Sequence, residues 1–531
     1  MDNKQAIAGE ASVKSGFARR AGIVIAAALL SACGGGGGGA ADPVPPPVAT
    51  VTAQSCAPTN PYRADASAAT SLGSLDDEKT WLRDYVERQY LWFGEMPTVD
   101  ASLPAYSSTG DVYGALDAYF TALKTPARTS TGKLKDEFSF SYPTRQWDDL
   151  INSGSFVGYG IEWAFVSDQV PRNIRIAFVH TGSAAEAQGL QRGDTLVSAD
   201  GVSVNTNTQS GLDALYASLY PASGGAHSFS FSRSGTSINR SLNAGAVTLT
   251  AASAPTVLPI AGQNVGYLLF NDHLLTAEQP LINAFTQLRD AGVSDLVLDL
   301  RYNSGGYVFL ASEVAYMIAG AARTTTATNT GKVFERLVFN SKRQAENTDT
   351  PFFNQSCLPN SSFNCTNTSP LPTLNLPRVF ILTSASTCSA SEAIINGLRG
   401  VDVDVRLVGG TSCGKPYGFY GQDNCGVSYF PIEFKGVNAK GFGEYADGFV
   451  PGGSGGAANN VAGCTARDDL NRALGDPAEG QLAAALFLRA NGTCPPVAAG
   501  REGPLSAGPS TTVRVPKATV RSQRIGRMPG R

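Results

Sequence analysis

Residues 378–415 read RVFILTSASTCSASEAIINGLRGVDVDVRLVGGTSCGK. The apolar run at 379–382 is typical of a buried parallel strand, and a loop of small residues follows it. Helical spacing from 390 to 398 and a second apolar run at 405–408 complete a strand–helix–strand unit. Ser389 lies where the helix begins, and a helix N-terminus offers unbonded N–H groups and the positive end of the dipole. This junction is therefore suited to hold a nucleophile.

The chain on either side continues the same alternation. Strands are predicted at 265–270 and 296–300, and helices at 277–291 and 307–318, which indicates an α/β domain with a largely parallel sheet. A polar insertion of about 55 residues precedes residue 378. The run after Lys415 alternates like antiparallel hairpins, and we expect a last helix over 468–490.

The N-terminus has the features of an export signal. Arg19 and Arg20 precede a short apolar run, which ends in the sequence Leu-Ser-Ala-Cys at Cys33. The run is too short for a permanent transmembrane helix. Its end resembles the bacterial lipobox, in which the cysteine carries the lipid, so Cys33 is the expected lipid attachment site. Six glycines and a proline-rich stretch after it predict a tether.

Composition limits the function classes. The net charge of −3 gives no nucleic-acid signature. The length of 531 residues predicts several domains. Besides Cys33, eight cysteines indicate disulfides in an exported protein. Cys357 with Cys365, and Cys413 with Cys425, are close enough in sequence to pair locally, but eight cysteines allow 105 connectivities and the pairing stays open.

Two regions precede the α/β domain. Residues from 75 onward predict amphipathic helices, the second at 111–123. Residues 174–204, which contain Gly182-Ser183-Ala184-Ala185 and Gly193-Asp194, resemble a PDZ domain. Such a domain binds a peptide as an added strand while backbone N–H groups hold its terminal carboxylate. The residues expected to form that carboxylate loop are Gly158, Tyr159, Gly160 and Ile161.

Three arrangements could activate a serine. Ser412 fits G-x-S-x-G, and with Lys415 it also fits S-x-x-K, but both patterns need a helix after the serine. Gly414, Pro416 and Gly418 make that helix improbable on local grounds. The third arrangement pairs Ser389 with Lys415, whose burial would let it act as a neutral base. Ser389 and Glu392 also fit a simple capping box, and the residues alone do not choose between capping and catalysis.

The motifs DLVLDLRYNSGG at 295–306, CSASE at 388–392 and Gly414-Lys415 resemble the tail-specific, or C-terminal processing, serine peptidases. The order of helical region, PDZ domain and catalytic domain also agrees. The resemblance implies that Ser389 is the nucleophile and Lys415 the general base. It further implies an oxyanion hole from the N–H groups of Ala390 and of Gly305 or Gly306, with Glu392 and Ser412 in support.

One position departs from that family. Many members carry a glutamine four residues after the lysine, whereas this chain has Phe419, and Gln422 is out of register. The residue that orients Lys415 is therefore open. The three histidines, His180, His227 and His273, lie in no motif that would pair them with a serine, and we expect structural roles for them.

The expected fold is multidomain α+β with a crotonase-like catalytic domain. The expected activity is that of a serine endopeptidase without metal or cofactor, which acts on polypeptides with free C-termini and has no nucleic-acid partner. We expect it to be lipid-anchored in a Gram-negative-type envelope, facing the periplasm; the alternative is an inactive peptide-binding lipoprotein. The predicted segments are 1–33 signal peptide, 34–73 tether, 74–152 helical domain, 153–248 PDZ domain, 249–497 catalytic domain and 498–531 disordered basic tail.

Overall fold

The structure is a computed structural model that describes residues 52–326, 331–360, 363–452 and 456–496, together with the backbone of 523–525. The predicted signal peptide, Cys33 and the glycine run lie outside these residues. In the part of the chain that is described, no helix has the length and apolarity needed to cross a bilayer.

The N-terminal region is helical, as predicted. Ser74 and Asp77 form a reciprocal capping box at the start of the first helix, and Asp111 caps the second. Its elements are β1 (Ser55–Cys56), β2 (Ser71–Leu72), α1 (Leu75–Gln89), α2 (Val112–Leu123), β3 (Phe140–Pro143) and α3 (Thr144–Ser153).

A second sheet has its own core, built from alternating apolar residues such as Ile174, Ile176 and Phe231. Its elements are β4 (Ser155–Gly158), β5 (Ile161–Ser167), β6 (Asn173–Val179), α4 (Ala184–Ala187), β7 (Thr195–Ala199), β8 (Val202–Ser203), α5 (Gln209–Leu219), β9 (Gly225–Arg233) and β10 (Thr236–Thr248). The strand order β4-β10-β9-β7-β6-β5 leaves β5 at an edge, and Phe165 of β5 stacks on Tyr216 of α5.

The third region holds the predicted α/β domain. It contains β11 (Thr256–Ile260), β12 (Gln263–Leu269), α6 (Glu278–Asp290), β13 (Asp295–Asp299), β14 (Gly305–Tyr307), α7 (Val308–Ala319), α8 (Ala321–Thr324), β15 (Val333–Phe339), β16 (Thr348–Pro351), β17 (Arg378–Thr383), α9 (Ala390–Gly400), β18 (Asp404–Gly409), β19 (Tyr417–Gly418), β20 (Gln422–Asn424), β21 (Val427–Phe430), β22 (Phe434–Val437), β23 (Val450–Pro451), β24 (Asn460–Val461), β25 (Gly463–Thr465), α10 (Gly480–Asn491) and β26 (Gln523–Ile525).

The main sheet of this region has the order β11-β12-β13-β17-β18-β25. All its pairings from β12 to β25 are parallel, and β11 is an antiparallel edge strand. One face packs on α6, α7 and α9, while Leu482 and Leu488 of α10 pack on the other. Both faces are therefore covered, which explains why the central residues of β13 (296–298) and of β17 (379–382) are all apolar. The predicted α+β fold class is confirmed.

The N-terminal helices share a core with the α/β domain. The ring of Tyr429 in β21 lies 5.9 Å from Trp81 of α1 and 5.7 Å from Phe120 of α2. In addition, β3 pairs antiparallel with β21. The N-terminal region is thus built onto the hairpins that follow Lys415, which brings it close to that lysine.

The PDZ-like region is joined to the α/β domain by Arg192. Its guanidinium bonds to the Tyr302 hydroxyl at 2.5 Å and pairs with Asp468. Asp468 also pairs with the fully buried Arg301, which Asp299 and Glu479 neutralise further. This buried charge network connects the region to the loop that leads into β14.

The prediction of a helix over 468–490 was wrong for its first half. Helix α10 begins at Gly480, and Glu479 caps it by accepting the N–H of Leu482 at 3.1 Å. Gly475, with φ of +84°, and Pro477 interrupt the helical pattern before that point.

Two expectations for other segments also need correction. Residues 523–525 form β26, so the predicted disorder of 498–531 does not hold for these three residues, and the others lie outside the described part. Of the two local cysteine pairs, Cys357–Cys365 forms but Cys413–Cys425 does not. The remaining disulfides are Cys56–Cys425, Cys388–Cys413 and Cys464–Cys494.

Candidate active site

Ser389 lies on a strained turn between β17 and α9. Its φ of +60° and ψ of −113° fall in a region that a residue with a side chain rarely adopts. Its side chain is fully buried, and among the described residues its Oγ has no hydrogen-bond partner. The predicted capping box is therefore only half made, since the Ser389 N–H donates to Glu392 at 2.9 Å while the hydroxyl caps nothing.

Lys415 is the buried cation of this site. Its side chain has no exposed surface, and burial lowers its pKa from 10.5 to about 7, with Asp136 and Glu392 opposing the shift. Its Nζ lies 5.1 Å from the ring centre of Phe138 and 5.0 Å from that of Phe419. A large fraction of the amine is thus neutral near pH 7, as a general base requires. No hydrogen bond joins it to the Ser389 hydroxyl.

Glu392 connects the two predicted catalytic residues. One carboxylate oxygen accepts the N–H groups of Ser389 and Lys415, at 2.9 and 2.8 Å. The other accepts the Ser412 hydroxyl at 2.5 Å and the Gly414 N–H at 2.9 Å. Burial raises the pKa of Glu392, and these four donors oppose the rise. The carboxylate therefore holds the loop of the lysine against the turn of the serine.

Ser412, which was predicted to support the site, lies beside Glu392. Its hydroxyl donates to Glu392 and accepts the Phe449 N–H at 2.7 Å, and its side chain is buried. It is not followed by a helix, because residues 410–416 form no helix or strand. A covalent link lies beside it: the disulfide Cys388–Cys413 joins the residue before Ser389 to a residue two positions before Lys415.

Ala390 and the Gly305–Gly306 strand were predicted to supply the oxyanion donors. Ala390 is the first residue of α9, so its N–H is one of those that a helix leaves unbonded. The Gly305 N–H donates to the Asn303 side chain at 3.0 Å and is therefore occupied. Of the two glycines, Gly306 is the one whose N–H can face a substrate.

His273 and Asn303 hold that strand in place. The His273 N–H donates to the Gly305 carbonyl at 3.1 Å, and the Tyr307 N–H donates to the His273 carbonyl at 2.9 Å. Burial lowers the pKa of the His273 ring to about 3, so the ring is neutral, and its Nδ1 lies 3.0 Å from Asn303 Oδ1. The carbonyl of Asn303 accepts the Cys388 N–H at 3.1 Å, which connects this strand to the Ser389 turn.

Phe419, at the position of the missing glutamine, lies beside Lys415. Phe419 is fully buried against Phe140 and Phe430 and turns an aromatic face toward Lys415. Gln422 is exposed, and its side chain donates to Asp423. Aromatic rings therefore surround the lysine where an amide was expected.

Sequence reasoning missed Asp136 and Phe138. Both belong to the N-terminal region and face Lys415 across almost 280 positions of sequence. Asp136 is buried and accepts the Tyr90 hydroxyl at 2.6 Å. No motif surrounds either residue, so nothing in the sequence singled them out.

The predicted carboxylate loop lies in the PDZ-like sheet, apart from the site of Ser389. It forms the turn between β4 and β5, where Gly160 has a φ of +80°. A side chain at Gly160 would lie 2.1 Å from Ser183. Tyr159 is buried, and its hydroxyl donates to the Ser218 carbonyl of α5 at 2.8 Å. The four residues thus form one turn beside the exposed edge of β5.

Comparison with known proteins agrees with this geometry. The model of Peptidase family S41 matches residues 264–418, a span that includes Gly305, Ser389 and Lys415. Residues 264–418 are therefore similar to an S41 peptidase domain. The model of the PDZ domain matches residues 155–213. The matched spans lie within the segments predicted for the catalytic and PDZ domains, whose outer boundaries stay predictions.

Two relatives of the S41 region are carboxyl-terminal-processing proteases. The protein from Picosynechococcus sp. is 24% identical over 232 residues, which cover 44% of this chain and 51% of the relative. The protein from Synechocystis sp. is 29% identical over 212 residues, or 40% of this chain and 45% of the relative. The matches thus span about half the length of these relatives.

A solved structure from Bacteroides fragilis, assigned as an S41 protease, shares the fold. It covers 78% of this chain and 97% of its own, with 22% identity and a TM-score of 0.56. This likeness extends beyond the S41 region and supports the arrangement of the three regions described above.

Proposed function

We propose that this chain is a serine endopeptidase in which Ser389 is the nucleophile and Lys415 the general base. One observation carries the proposal: Glu392 binds the main chain of both residues, next to a buried, unbonded Ser389 hydroxyl. A hydroxyl used only for capping would bond to the helix. Burial lowers the pKa of Lys415 to about 7, which suits a general base.

The chemistry follows from these groups. The neutral Lys415 amine takes the proton from Ser389 Oγ while that oxygen attacks the carbonyl carbon of the peptide bond. The C–N bond then breaks, and the lysine proton passes to the leaving amine. Water hydrolyses the acyl-enzyme by the reverse route, again with Lys415 as the base.

The negative charge of the tetrahedral intermediate needs donors that are already in place. We assign this role to the N–H groups of Ala390 and Gly306, because the Gly305 N–H is bonded to Asn303. Donors of this kind are worth about 10²–10³ in kcat each. The strand that holds Gly306 is supported by His273, which is thereby a positioning residue.

The substrate class is a polypeptide. The exposed edge of β5 and the turn at Gly158, Tyr159, Gly160 and Ile161 suit a chain that adds as a strand and ends in a carboxylate. We propose that the PDZ domain captures such C-termini. The lipobox-like sequence at Cys33 supports a lipid-anchored, periplasm-facing protein.

The test is hydrolysis of labelled casein by the purified full chain. Ser389→Ala and Lys415→Ala should each lose at least about 10³-fold in kcat/KM, whereas Ser386→Ala, in the same loop but exposed, should keep wild-type activity. Equal activity of all four proteins would refute the assignment of the dyad. An inactive wild type that still binds peptides would favour the non-catalytic alternative.

A further inference from the structure

Residues 523–525 form the strand β26, which pairs with β14 of the α/β domain. They pair in parallel with β14, with Gly305 opposite Gln523, Gly306 opposite Arg524 and Tyr307 opposite Ile525. Their backbone also lies against β19, which begins two residues after Lys415, and against α9, which begins one residue after Ser389. A segment of this chain therefore lies next to the element that follows each of the two predicted catalytic residues.

The direction of the hydrogen bonds on β14 follows from its other edge. There, the Gly305 carbonyl and the Tyr307 N–H are both bonded to His273. Successive residues of a strand point their backbone groups to opposite edges, so the N–H and carbonyl of Gly306 face β26.

The register then identifies the partners on β26. In a parallel ladder, a residue opposite position 524 donates to the carbonyl of 523 and accepts the N–H of 525. Gly306 therefore donates to the Gln523 carbonyl and accepts the Ile525 N–H. The N–H that we assign to the oxyanion hole is thus directed at a peptide carbonyl, which is where it would hold the carbonyl of a substrate.

The burial of Ser389 and Lys415 agrees with a site that another segment covers. Neither Ser389 nor Lys415 has any exposed surface. Gly306 has no side chain to obstruct a neighbouring strand, and on its other side a Cβ would lie 2.4 Å from the His273 carbonyl oxygen. The backbone here is shaped to accept main chain on both edges.

We infer that β14 is the strand to which substrate adds, and that residues 523–525 occupy it in cis and compete with external polypeptide. This inference rests on the proposed function. It also specifies a binding mode: the substrate lies extended and parallel to β14, with the carbonyl of the reacting peptide bond at the Gly306 N–H.

Proline substitutions in β26 separate the loss of a hydrogen bond to β14 from the other effects of a changed side chain. Ile525→Pro removes the N–H that Gly306 accepts, whereas in Arg524→Pro the lost N–H points away from β14. The two variants differ by one position, and both residues lie outside the matched span 264–418. We expect kcat/KM for labelled casein to rise about threefold to tenfold in Ile525→Pro, the factor of one lost hydrogen bond, and to stay within about twofold in Arg524→Pro.

A second measurement reports occupancy without activity. In a Ser389→Ala background, amide exchange at Gly306 should be slow in the parent and in the Arg524→Pro form, and faster in the Ile525→Pro form. A synthetic peptide of residues 519–527 should inhibit casein hydrolysis by the Ile525→Pro enzyme more strongly than hydrolysis by the wild type.

Equal casein hydrolysis and equal Gly306 exchange in the two proline variants would overturn the inference while leaving the proposed function intact. If the wild type and both variants failed to hydrolyse casein, the proposed function would be refuted, and so would the proposed competition between residues 523–525 and substrate. The rate of amide exchange at Gly306 would still show whether residues 523–525 occupy β14.

Discussion

The carboxylate of Glu392 accepts the main-chain N–H of Lys415 at 2.8 Å, across 23 positions of sequence. The same oxygen accepts the N–H of Ser389, so the proposed base and the proposed nucleophile are positioned by one atom. Because Glu392 lies on the first turn of α9, the distance between these two residues depends on how that helix packs.

Glu392→Gln should damage both activity and stability. Each carboxylate oxygen of Glu392 accepts hydrogen bonds from two donors. The NH₂ group of a glutamine would therefore face two donors whichever way the amide is turned. We expect kcat to fall by about 10² and the free energy of unfolding by about 2–4 kcal/mol. Casein hydrolysis and denaturant titration measure the two effects. Glu346→Gln, at an exposed ion pair, is the control and should change neither; an active Glu392→Gln enzyme would contradict the prediction.

The activity should depend on pH through Lys415. Its folded-state pKa is lowered to about 7, so the amine is protonated and unable to accept a proton below that value. We therefore expect kcat/KM to rise with pH through about 7 and to level off above it. The pH profile of casein hydrolysis from pH 5.5 to 9 checks this. A rise that continues to pH 9 without levelling off would show that the side chain keeps a pKa near the ordinary lysine value of 10.5 and is not buried as described.

Phe138→Leu should move that midpoint downward. The Phe138 ring lies 5.1 Å from Lys415 Nζ and favours its charged form, whereas leucine keeps the site apolar without the negative face of a ring. A shift of roughly 0.5–1 pH unit is expected. Phe140→Leu, which changes the aromatic cluster around Phe419 without removing a ring from the lysine, should leave the midpoint unchanged. An upward shift in Phe138→Leu would mean that desolvation dominates.

Loss of the Cys388–Cys413 disulfide should reduce turnover more than it reduces folding. The bond holds the residue before Ser389 to the loop that carries Lys415. The double variant Cys388→Ser/Cys413→Ser should lose about tenfold or more in kcat, since small displacements of reacting groups are costly. The matched control is Cys357→Ser/Cys365→Ser, which removes a disulfide from the insertion. Equal losses in the two double variants would argue against a positioning effect.

Gly306→Ala should abolish activity. The φ of +138° disfavours any side chain, and the new Cβ would lie 2.4 Å from the His273 carbonyl oxygen, so β14 must move away from its place beside Ser389. We expect at least about 10²-fold loss in kcat. Gly292→Ala also changes a glycine with positive φ, but there a Cβ would meet no atom within 4 Å; its activity should remain at the wild-type level.

Much of this protein is determined by local sequence. The apolar runs of β13 and β17 and the helical spacing of α6, α7 and α9 predict the layered α/β domain, because strand and helix periodicity are properties of neighbouring residues. Ser389, Lys415 and Glu392 were also singled out from short motifs. The error at 468–479 has the same local origin: the apolar spacing there predicts a helix, but Gly475 and Pro477 interrupt it before α10 begins at Gly480.

Only the tertiary structure decided what surrounds those residues. The aromatic and acidic neighbours of Lys415 come from the N-terminal region, and the partner of Cys413 is Cys388, beside the nucleophile, and not the nearer Cys425. His273, which belongs to no motif, forms hydrogen bonds along one edge of β14. The Gly306 N–H therefore faces the opposite edge, where β26 lies. Contacts of this kind join positions that are far apart in the chain, and they depend on how the sheets and helices pack and not on local spacing.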